Sequence, residues 1–529
     1  MDTTTTATMP ATETTCLAVI ERIAAGKKNT GAVVNVDAGQ PAPRPDPIRQ
    51  EVEARQGPIL KRTVRTGKGG GMVEDVSVET VPLAHYVARR ERILFEADTG
   101  LLWQYDPTNG AWRSVGKEAA KTAADKVVLD LSRGEDSRVE NLRNNGQLNN
   151  VAELVRMAGL VEGDPFEDRP HRGRLVHAAD TMLLIGPDGP RPLPHAPEYL
   201  SRHPSAQPYR QYALCPRFLK ELVEPLLEPE DVDLVQRFFG ACLLHHNAAQ
   251  QLLIIRGPGD AGKGALVEVL QKVVGQANCR ALRTEHLAKQ FEIGQCARFS
   301  LLNGPDVDDD FLEAESINVL KSMVGHDLLA CEKKHGGTYN RRGTWNIVIT
   351  SNHRLRVNLK GEVGSWRRRI MIVDAKPKGD RKPIPGFSDV LLAEEGPGIL
   401  AWMVEGAVRH VRELEAAGRF MLTPAQLERV EGLLAESDSA RLFARDCLAK
   451  SPGMQVTARD ALAAYQDYLD GRGWEHPSER RSGAAIEAAI RDVHGIRQSH
   501  DIKPAEGGKA GRGWRNLTLS TPDKQDLPF

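Results

Sequence analysis

The stretch Gln251–Gly275, QLLIIRGPGDAGKGALVEVLQKVVG, decides how the rest of the chain is read. Leu252, Leu253, Ile254 and Ile255 form an apolar run of the length expected for a parallel strand buried on both faces. The run gives way to a loop, Gly257-Pro258-Gly259-Asp260-Ala261-Gly262-Lys263-Gly264. Ala265, Leu266, Val269, Leu270 and Val273 then repeat with the period of one helix face. Strand, glycine loop, lysine and helix together are the context of a phosphate-binding loop. Glycines let successive backbone N–H groups converge on one anion, the helix N-terminus adds partial positive charge, and the lysine adds a full charge. The pattern normally continues with Ser or Thr, whose hydroxyl ligates Mg²⁺. Here Gly264 and Ala265 take that place. The competing reading, a glycine-rich strand–helix turn without a ligand, leaves the lysine unexplained.

Outward from the loop, the next apolar strand is Arg298–Asn303, which runs into Gly304-Pro305-Asp306-Val307-Asp308-Asp309-Asp310. A strand that delivers carboxylates at its C-terminal end is what a phosphoryl-transfer site uses to hold Mg²⁺. The same acids would also stabilise the start of a following helix. Thr344–Thr350 is a third buried strand and ends in Ser351-Asn352, a polar pair within reach of the same site. Lys333, Lys334, His335, Arg341 and Arg342 surround Gly336-Gly337, the pattern of a hairpin with a basic tip that can grip phosphates. Trp366-Arg367-Arg368-Arg369 precedes a fourth strand, Ile370–Val373. Arginines at that place suit a finger reaching a neighbouring subunit's nucleotide, although three in a row are usually a solvated surface run.

The chain has 529 residues and a formal net charge of −1, so several domains are expected and no global basic field marks a nucleic-acid binder. Seven scattered cysteines without CxxC spacing argue against a zinc site or a disulfide framework. No apolar run reaches the ~18 residues of a membrane span, and the Thr-rich start lacks signal-peptide features, so a cytoplasmic protein without a membrane partner is expected.

Residues 1–75 read as a poorly ordered linker, with Pro-rich Ala38–Pro47 and basic Lys61–Gly71, and order is expected from about Val81. Residues 76–245 read as an α-rich module that begins with three short strands. Trp103, Tyr105 and Trp112 lie on those strands and read as core aromatics rather than a base-stacking platform. Residues 416–450 suggest a helical spacer, 451–522 a compact domain, and 523–529 a tail. In that domain two helices, starting near Thr457 and Gly483, precede two strands around a glycine-rich loop, which suggests a winged helix. Arg480, Arg481, Arg491, Lys503, Lys509, Arg512 and Arg515 are its candidate phosphate contacts, set against a protein-interaction reading.

GPGDAGKG, SLLNGPDVDDD, LLACEKKHGG, IVITSNH and SWRRRIMIV, in this order and spacing, resemble a superfamily 3 helicase. Within that group they are most similar to phage/plasmid primase-type helicases related to the poxvirus primase-helicase. The resemblance spans residues of about 80–520. It implies an α/β fold: an AAA+-like P-loop ATPase core over 246–415, an α-rich N-terminal module and a C-terminal winged-helix domain. It implies ATP and Mg²⁺ as cofactors, and a homo-oligomeric ring, usually a hexamer, that moves on single-stranded or forked DNA in replication. A primase or polymerase is an implied partner. Carried over by position, Lys263 is the Walker A lysine, Asp306 (with Asp308 the alternative) the Walker B and Mg²⁺ carboxylate, Lys334 the basic residue of the DNA hairpin, Asn352 the sensor, and Arg368 with Arg369 the finger pair. Gly264 departs from the pattern, so the alternative is an origin- or DNA-binding assembly factor with weak or no hydrolysis. An RNA helicase is a third reading that the winged-helix tail disfavours. Relatives often carry a primase domain. Asp231-x-Asp233 has the letters of its paired carboxylates but sits where helix capping explains it, so no primase activity is expected.

Overall fold

The computed structural model describes residues 46–520 apart from 67–70, 168, 284–286, 288–291, 309–316, 333–336, 354, 356, 358–362, 380–381, 383, 475 and 504–508. Two compact units divide at Gly57. The described part of the first is one helix, α1 (Pro47–Gln56), whose start is fixed by the Asp46 carboxylate accepting from the Ile48 N–H at 2.9 Å.

The second unit opens with an antiparallel pair, β1 (Leu60–Thr66) and β2 (Met72–Val78). The basic stretch expected as linker is therefore a ribbon. Its Lys61, Arg62 and Arg65 show no apolar–polar alternation because both faces are mostly exposed. Helix α2 (Thr80–Arg90) leads into β3 (Ile93–Glu96), β4 (Leu101–Asp106) and β5 (Ala111–Val115). After α3 (Glu118–Gly134) and α4 (Asn145–Ala158), β6 (Leu160–Val161) completes a sheet ordered β5-β4-β3-β6. Trp103, Tyr105 and Trp112 lie in its core. The Trp103 indole donates to the Glu96 carboxylate at 3.0 Å and that of Trp112 to the Pro197 carbonyl at 2.9 Å, so both polar handles are satisfied. A three-stranded antiparallel sheet follows: β7 (Leu175–His177), β8 (Met182–Gly186) and β9 (Gly189–Leu193).

Helix α5 (Pro229–Leu243) precedes the central sheet. Its strands are β10 (Leu252–Arg256), β11 (Cys279–Ala281), β12 (Leu301–Gly304), β15 (Asn346–Ser351) and β16 (Ile370–Asp374). They run parallel in the order β11-β12-β15-β10-β16. The alternation of the strands sorts their side chains onto two cores. Leu253, Ile255, Val348, Met371 and Val373 face α5, the loop helix α6 (Lys263–Val274) and a later 31-residue helix, α8 (Phe387–Ala417). Leu252, Ile254, Ile347, Ile349, Ile370 and Ile372 face α7 (Ile317–Val324) and α9 (Pro424–Ser437). At ~1.5–3 kcal/mol for each fully buried aliphatic side chain, these two faces dominate the stability of this half of the chain. Where α5 crosses α8, Gly240 meets Gly406-Ala407 so closely that a Cβ on Gly240 would fall 2.0 Å from the Ala407 nitrogen. Between β12 and β15, β13 (Leu328–Glu332) and β14 (Thr338–Arg342) form an antiparallel hairpin.

Helix α8 begins at Phe387 and continues through Pro397. Asp231 does not cap α5. It is fully buried and takes two bonds from Arg429 of α9, at 2.8 and 2.7 Å, and one from Gln426 at 3.1 Å. Asp233 pairs with Arg237 and Arg409. These two carboxylates therefore lock α5 to α8 and α9.

The C-terminal domain runs α10 (Ser439–Cys447), β17 (Leu448–Thr457), α11 (Ala458–Asp470), α12 (Glu479–His494), β18 (Ser499–Ile502) and β19 (Gly511–Leu519). The strands pair as β17-β19-β18, over a core that includes Phe443, Tyr465, Ile486, Ile490 and Trp514. Thr457 caps α11 as expected, accepting from the Asp460 N–H at 3.1 Å. The third strand, β17, occupies residues read from sequence as spacer and helix lead-in.

Candidate functional site

Because β10, β12, β15 and β16 are parallel and in register, their C-terminal ends share one edge of the sheet. That edge is where open α/β sheets place ligands. The glycine loop leaves β10, Asp306 follows β12, and Asn352 follows β15. Gly257 has φ 149°, and a Cβ there would lie 2.6 Å from the Ala375 carbonyl, so only glycine fits this turn. Gly262, with φ 110°, starts α6 without any side-chain cap, and no acidic residue lies in its first turn. The first N–H groups of α6 are thus left to an anion.

Lys263 is 4% exposed and its ammonium is fully engaged. It donates to the carbonyls of Gly257 at 2.8 Å and Pro258 at 2.7 Å, and to the Asn352 amide oxygen at 2.8 Å. Burial pushes it below its ordinary value, while the nearby Asp306 and Asp260 carboxylates pull the other way. All three bonds go to neutral oxygens, so the positive charge itself is not neutralised by a bonded carboxylate. Asp306 sits in the left-handed region, φ 42°, and its N–H donates to the Thr350 hydroxyl at 2.9 Å. The Val307 N–H and carbonyl bond Thr350 and Ser351 at 2.9 Å each. Val307 is buried while Asp306 and Asp308 are exposed, so both carboxylates face outward from this clasp. Thr350 and Ser351, which hold the Asp306 turn, were visible in the sequence as the polar end of an apolar strand.

The residues fit a nucleoside triphosphate with Mg²⁺. An uncapped helix N-terminus and an un-neutralised buried lysine face exposed loop residues Pro258, Gly259 and Asp260, with carboxylates across the edge. A Cβ on Gly264 would meet nothing within 4 Å, so its lack of a hydroxyl does not reflect lack of space. Among the described residues no group of three or more His, Cys, Asp or Glu could hold a metal unaided.

Arg368 is exposed, but Arg369 is 5% exposed and turned inward, donating to the Ser365 carbonyl and hydroxyl at 2.9 Å each. Of the two arginines expected as a finger pair, only Arg368 is therefore open to a neighbour, because the turn before β16 folds Arg369 back onto Ser365. Arg367 is paired with Glu431 at 2.5 and 2.7 Å. Lys333, Lys334 and His335 lie outside the described residues; the strands on either side, β13 and β14, pair as a hairpin. Arg341 is not part of a basic tip: it is buried at the hairpin base and bonded to Asp164. Arg480, Arg481 and Arg491 are exposed on α12 and Arg512 on β19. Lys503 and Lys509 are exposed at the two ends of the intervening loop, and Arg515 pairs with Asp501.

Residues 255–369 match the model of a family of unknown function, DUF5906. No curated protein matches the chain. Among solved structures, the chain is similar to the apo C-terminal region of NrS-1 in its A form, at 12% identity and a TM-score of 0.45, over 83% of this chain and 99% of that one. It is also similar to a JCV helicase with a bound small molecule, at 17% identity and a TM-score of 0.22, over 40% of this chain and 57% of that one. Among the described residues no helix is long and apolar enough to cross a membrane.

Proposed function

We propose that the chain is an ATP- and Mg²⁺-dependent DNA helicase of the superfamily 3 type, acting in replication of a phage, plasmid or integrated element as a homo-oligomeric ring, a hexamer, on single-stranded or forked DNA. The observation that carries this reading is the bond between Lys263 and Asn352, which brings the lysine of the glycine loop to the end of β15, beside Asp306. Three separate stretches of the motif set thereby converge on one edge. The strand order, with the loop strand between β15 and β16, supports an AAA+-like core. The helix–strand–helix–helix–strand–strand order of residues 439–519 supports a winged helix, with α12 as the helix presented to DNA.

In this reading the loop Gly257–Gly264 and the α6 N-terminus hold the triphosphate, and Lys263 exchanges its carbonyl partners for phosphate oxygens. Asp306, with phosphate oxygens and water, holds Mg²⁺, which would neutralise phosphate charge there. Asn352 orients Lys263 and the attacking water. Arg368 reaches from one subunit toward the nucleotide of the next, and the tip of the β13–β14 hairpin, with Lys334 at its centre, contacts one DNA strand. Lys263→Ala tests this directly: strand separation on a forked DNA should be lost, and unwinding at the wild-type rate would sink the proposal.

Gly264 favours a second reading, a nucleotide-dependent DNA-binding assembly factor with weak hydrolysis. The two differ in whether single-stranded DNA stimulates ATP turnover, and whether that stimulation disappears in Arg368→Ala.

A further inference from the structure

Away from the glycine loop, Asp164, Glu167, Arg169, Arg172, Arg202 and the base of the β13–β14 hairpin line a small polar cavity of about 40 Å³. Among the described residues its walls carry Arg169, Arg172, Arg202, Arg341 and the edge residue Arg342 against two carboxylates, Asp164 and Glu167, with Glu96 acting on Arg202 and Arg341 from beyond the wall. Asp164 is shared between Arg341, to which it is bonded, and Arg202 at 3.7 Å. Glu167 lies 3.7 Å from Arg172. Arg169 is left over: it is 8% exposed, and its Nε has no hydrogen-bond partner among the described residues. Arg202 Nη1 is likewise buried without a partner. Arg202 Nε donates to His203 Nε2 at 3.3 Å, so the other ring nitrogen of His203 carries the proton given to the Asn278 oxygen at 2.7 Å. His203 is therefore neutral and offers the arginines no negative charge.

Burying a guanidinium without a counter-charge is expensive, several kcal/mol by general estimates, and a protein tolerates it when something else supplies the anion. Burial and the neighbouring Arg202 and Arg172 push Arg169 down to about 10. Space for one water takes roughly 10–15 Å³ on the same measure, so the cavity holds a few waters or one small anion. Neutral waters would satisfy the N–H groups but leave the charge.

We propose that this cavity is a binding site for a phosphate-sized oxyanion, held by Arg169 and Arg202. The anion would tie Arg169 of the N-terminal module to Arg202 and to Arg341 at the base of the hairpin, across a seam where arginines outnumber carboxylates among the described residues. An adjoining cavity of about 340 Å³ shares Arg202, Ala297 and Arg341, so the phosphate could be free or belong to a larger molecule reaching in from there.

The test uses the full chain carrying Lys263→Ala, which removes the loop cation as a competing phosphate ligand. Inorganic phosphate is titrated calorimetrically, with sodium chloride at matched ionic strength as control, and then again in Lys263→Ala/Arg169→Gln. Phosphate should bind the first variant and bind the second about 10- to 100-fold more weakly, the loss expected for one charge-assisted contact. ATP and a 5′-phosphorylated oligonucleotide, tested as competitors, separate free phosphate from a nucleotide or nucleic-acid source. Equal phosphate affinity in the two variants overturns the proposal. Should the double variant fail to fold, Lys263→Ala alone decides: no phosphate-specific binding or thermal stabilisation beyond chloride also overturns it.

Discussion

Lys263 and Arg169 are both buried cations, 4% and 8% exposed, in opposite circumstances. Lys263 has three short bonds to oxygens that belong to its own loop and to Asn352. Arg169 has a buried Nε with no partner and two arginines nearby. The first is a charge stored for release: carbonyl partners can be exchanged for phosphate oxygens at little cost, and the loop is exposed. The second is a charge in deficit, beside a small polar cavity. In the proposed reading the contrast separates a site for turnover from one for a resident anion.

The largest effect should come from Lys263 itself. Lys263→Ala is expected to cut ATP turnover by about 10²–10³, the scale for losing one preorganised charged group at a phosphoryl centre, while denaturant unfolding changes little. Asn352→Ala probes the same store from the other end. It removes one of the three oxygens holding Lys263, and turnover should fall about tenfold to a hundredfold with nucleotide affinity less affected, as steady-state kinetics would show.

Arg169→Met should show the inverse profile. In buffer free of phosphate and sulfate it should leave stability unchanged or raise it by about 1–3 kcal/mol, since an under-compensated buried charge is replaced by an apolar chain of similar length. A large loss of stability in urea unfolding would mean that the protein already satisfies Arg169. The cavity side is also rich in histidines, with His177 and His203 buried and His245 and His246 half-buried. Burial, with help from nearby arginines, holds His203 and His245 well below 6.5, His177 down to about 4 and His246 down to about 3. Because the folded values lie below 6.5, the unfolded chain takes up protons first as the pH falls. Stability is therefore full only well above pH 6.5 and should fall by about 2 kcal/mol per histidine by pH 5. Urea midpoints measured from pH 7.5 to 5 check this; a flat profile would contradict the burial assigned to this side.

The smallest effect concerns Gly264. Because a side chain there meets open space, Gly264→Ser should fold as well as the parent. It should raise turnover or lower the Mg²⁺ requirement several-fold, read from Mg²⁺ titrations of ATPase. No change would mean that the loop manages without the hydroxyl.

Much of the central sheet was legible because buried parallel strands are continuous apolar runs. Leu252–Ile255 and Ile370–Val373 fall on strands, and Thr344–Thr350 overlaps a strand that runs Asn346–Ser351. The edge strand β11, Cys279–Ala281, was not legible: it has three residues and one is Arg280. Strand β17 was hidden for another reason. Its Ser451-Pro452-Gly453 reads as a break, and only pairing with β19, across an irregular register, makes it a strand. Of the site, the loop, Asp306 and Asn352 came from local motifs and lie at one edge. Arg369 did not, since nothing in Arg367-Arg368-Arg369 says which arginine turns inward. The seam around Arg169 was invisible, because Asp164 and Arg341 are 177 positions apart and meet only through the fold.

The central claim is that the edge holding Lys263, Asp306 and Asn352 turns over ATP to move DNA. The most direct measurement is steady-state ATP hydrolysis by the full chain with Mg²⁺, with and without single-stranded DNA. The account predicts turnover that rises on adding DNA and is lost in Arg368→Ala. Tight nucleotide binding with no turnover, unchanged by DNA, would contradict it.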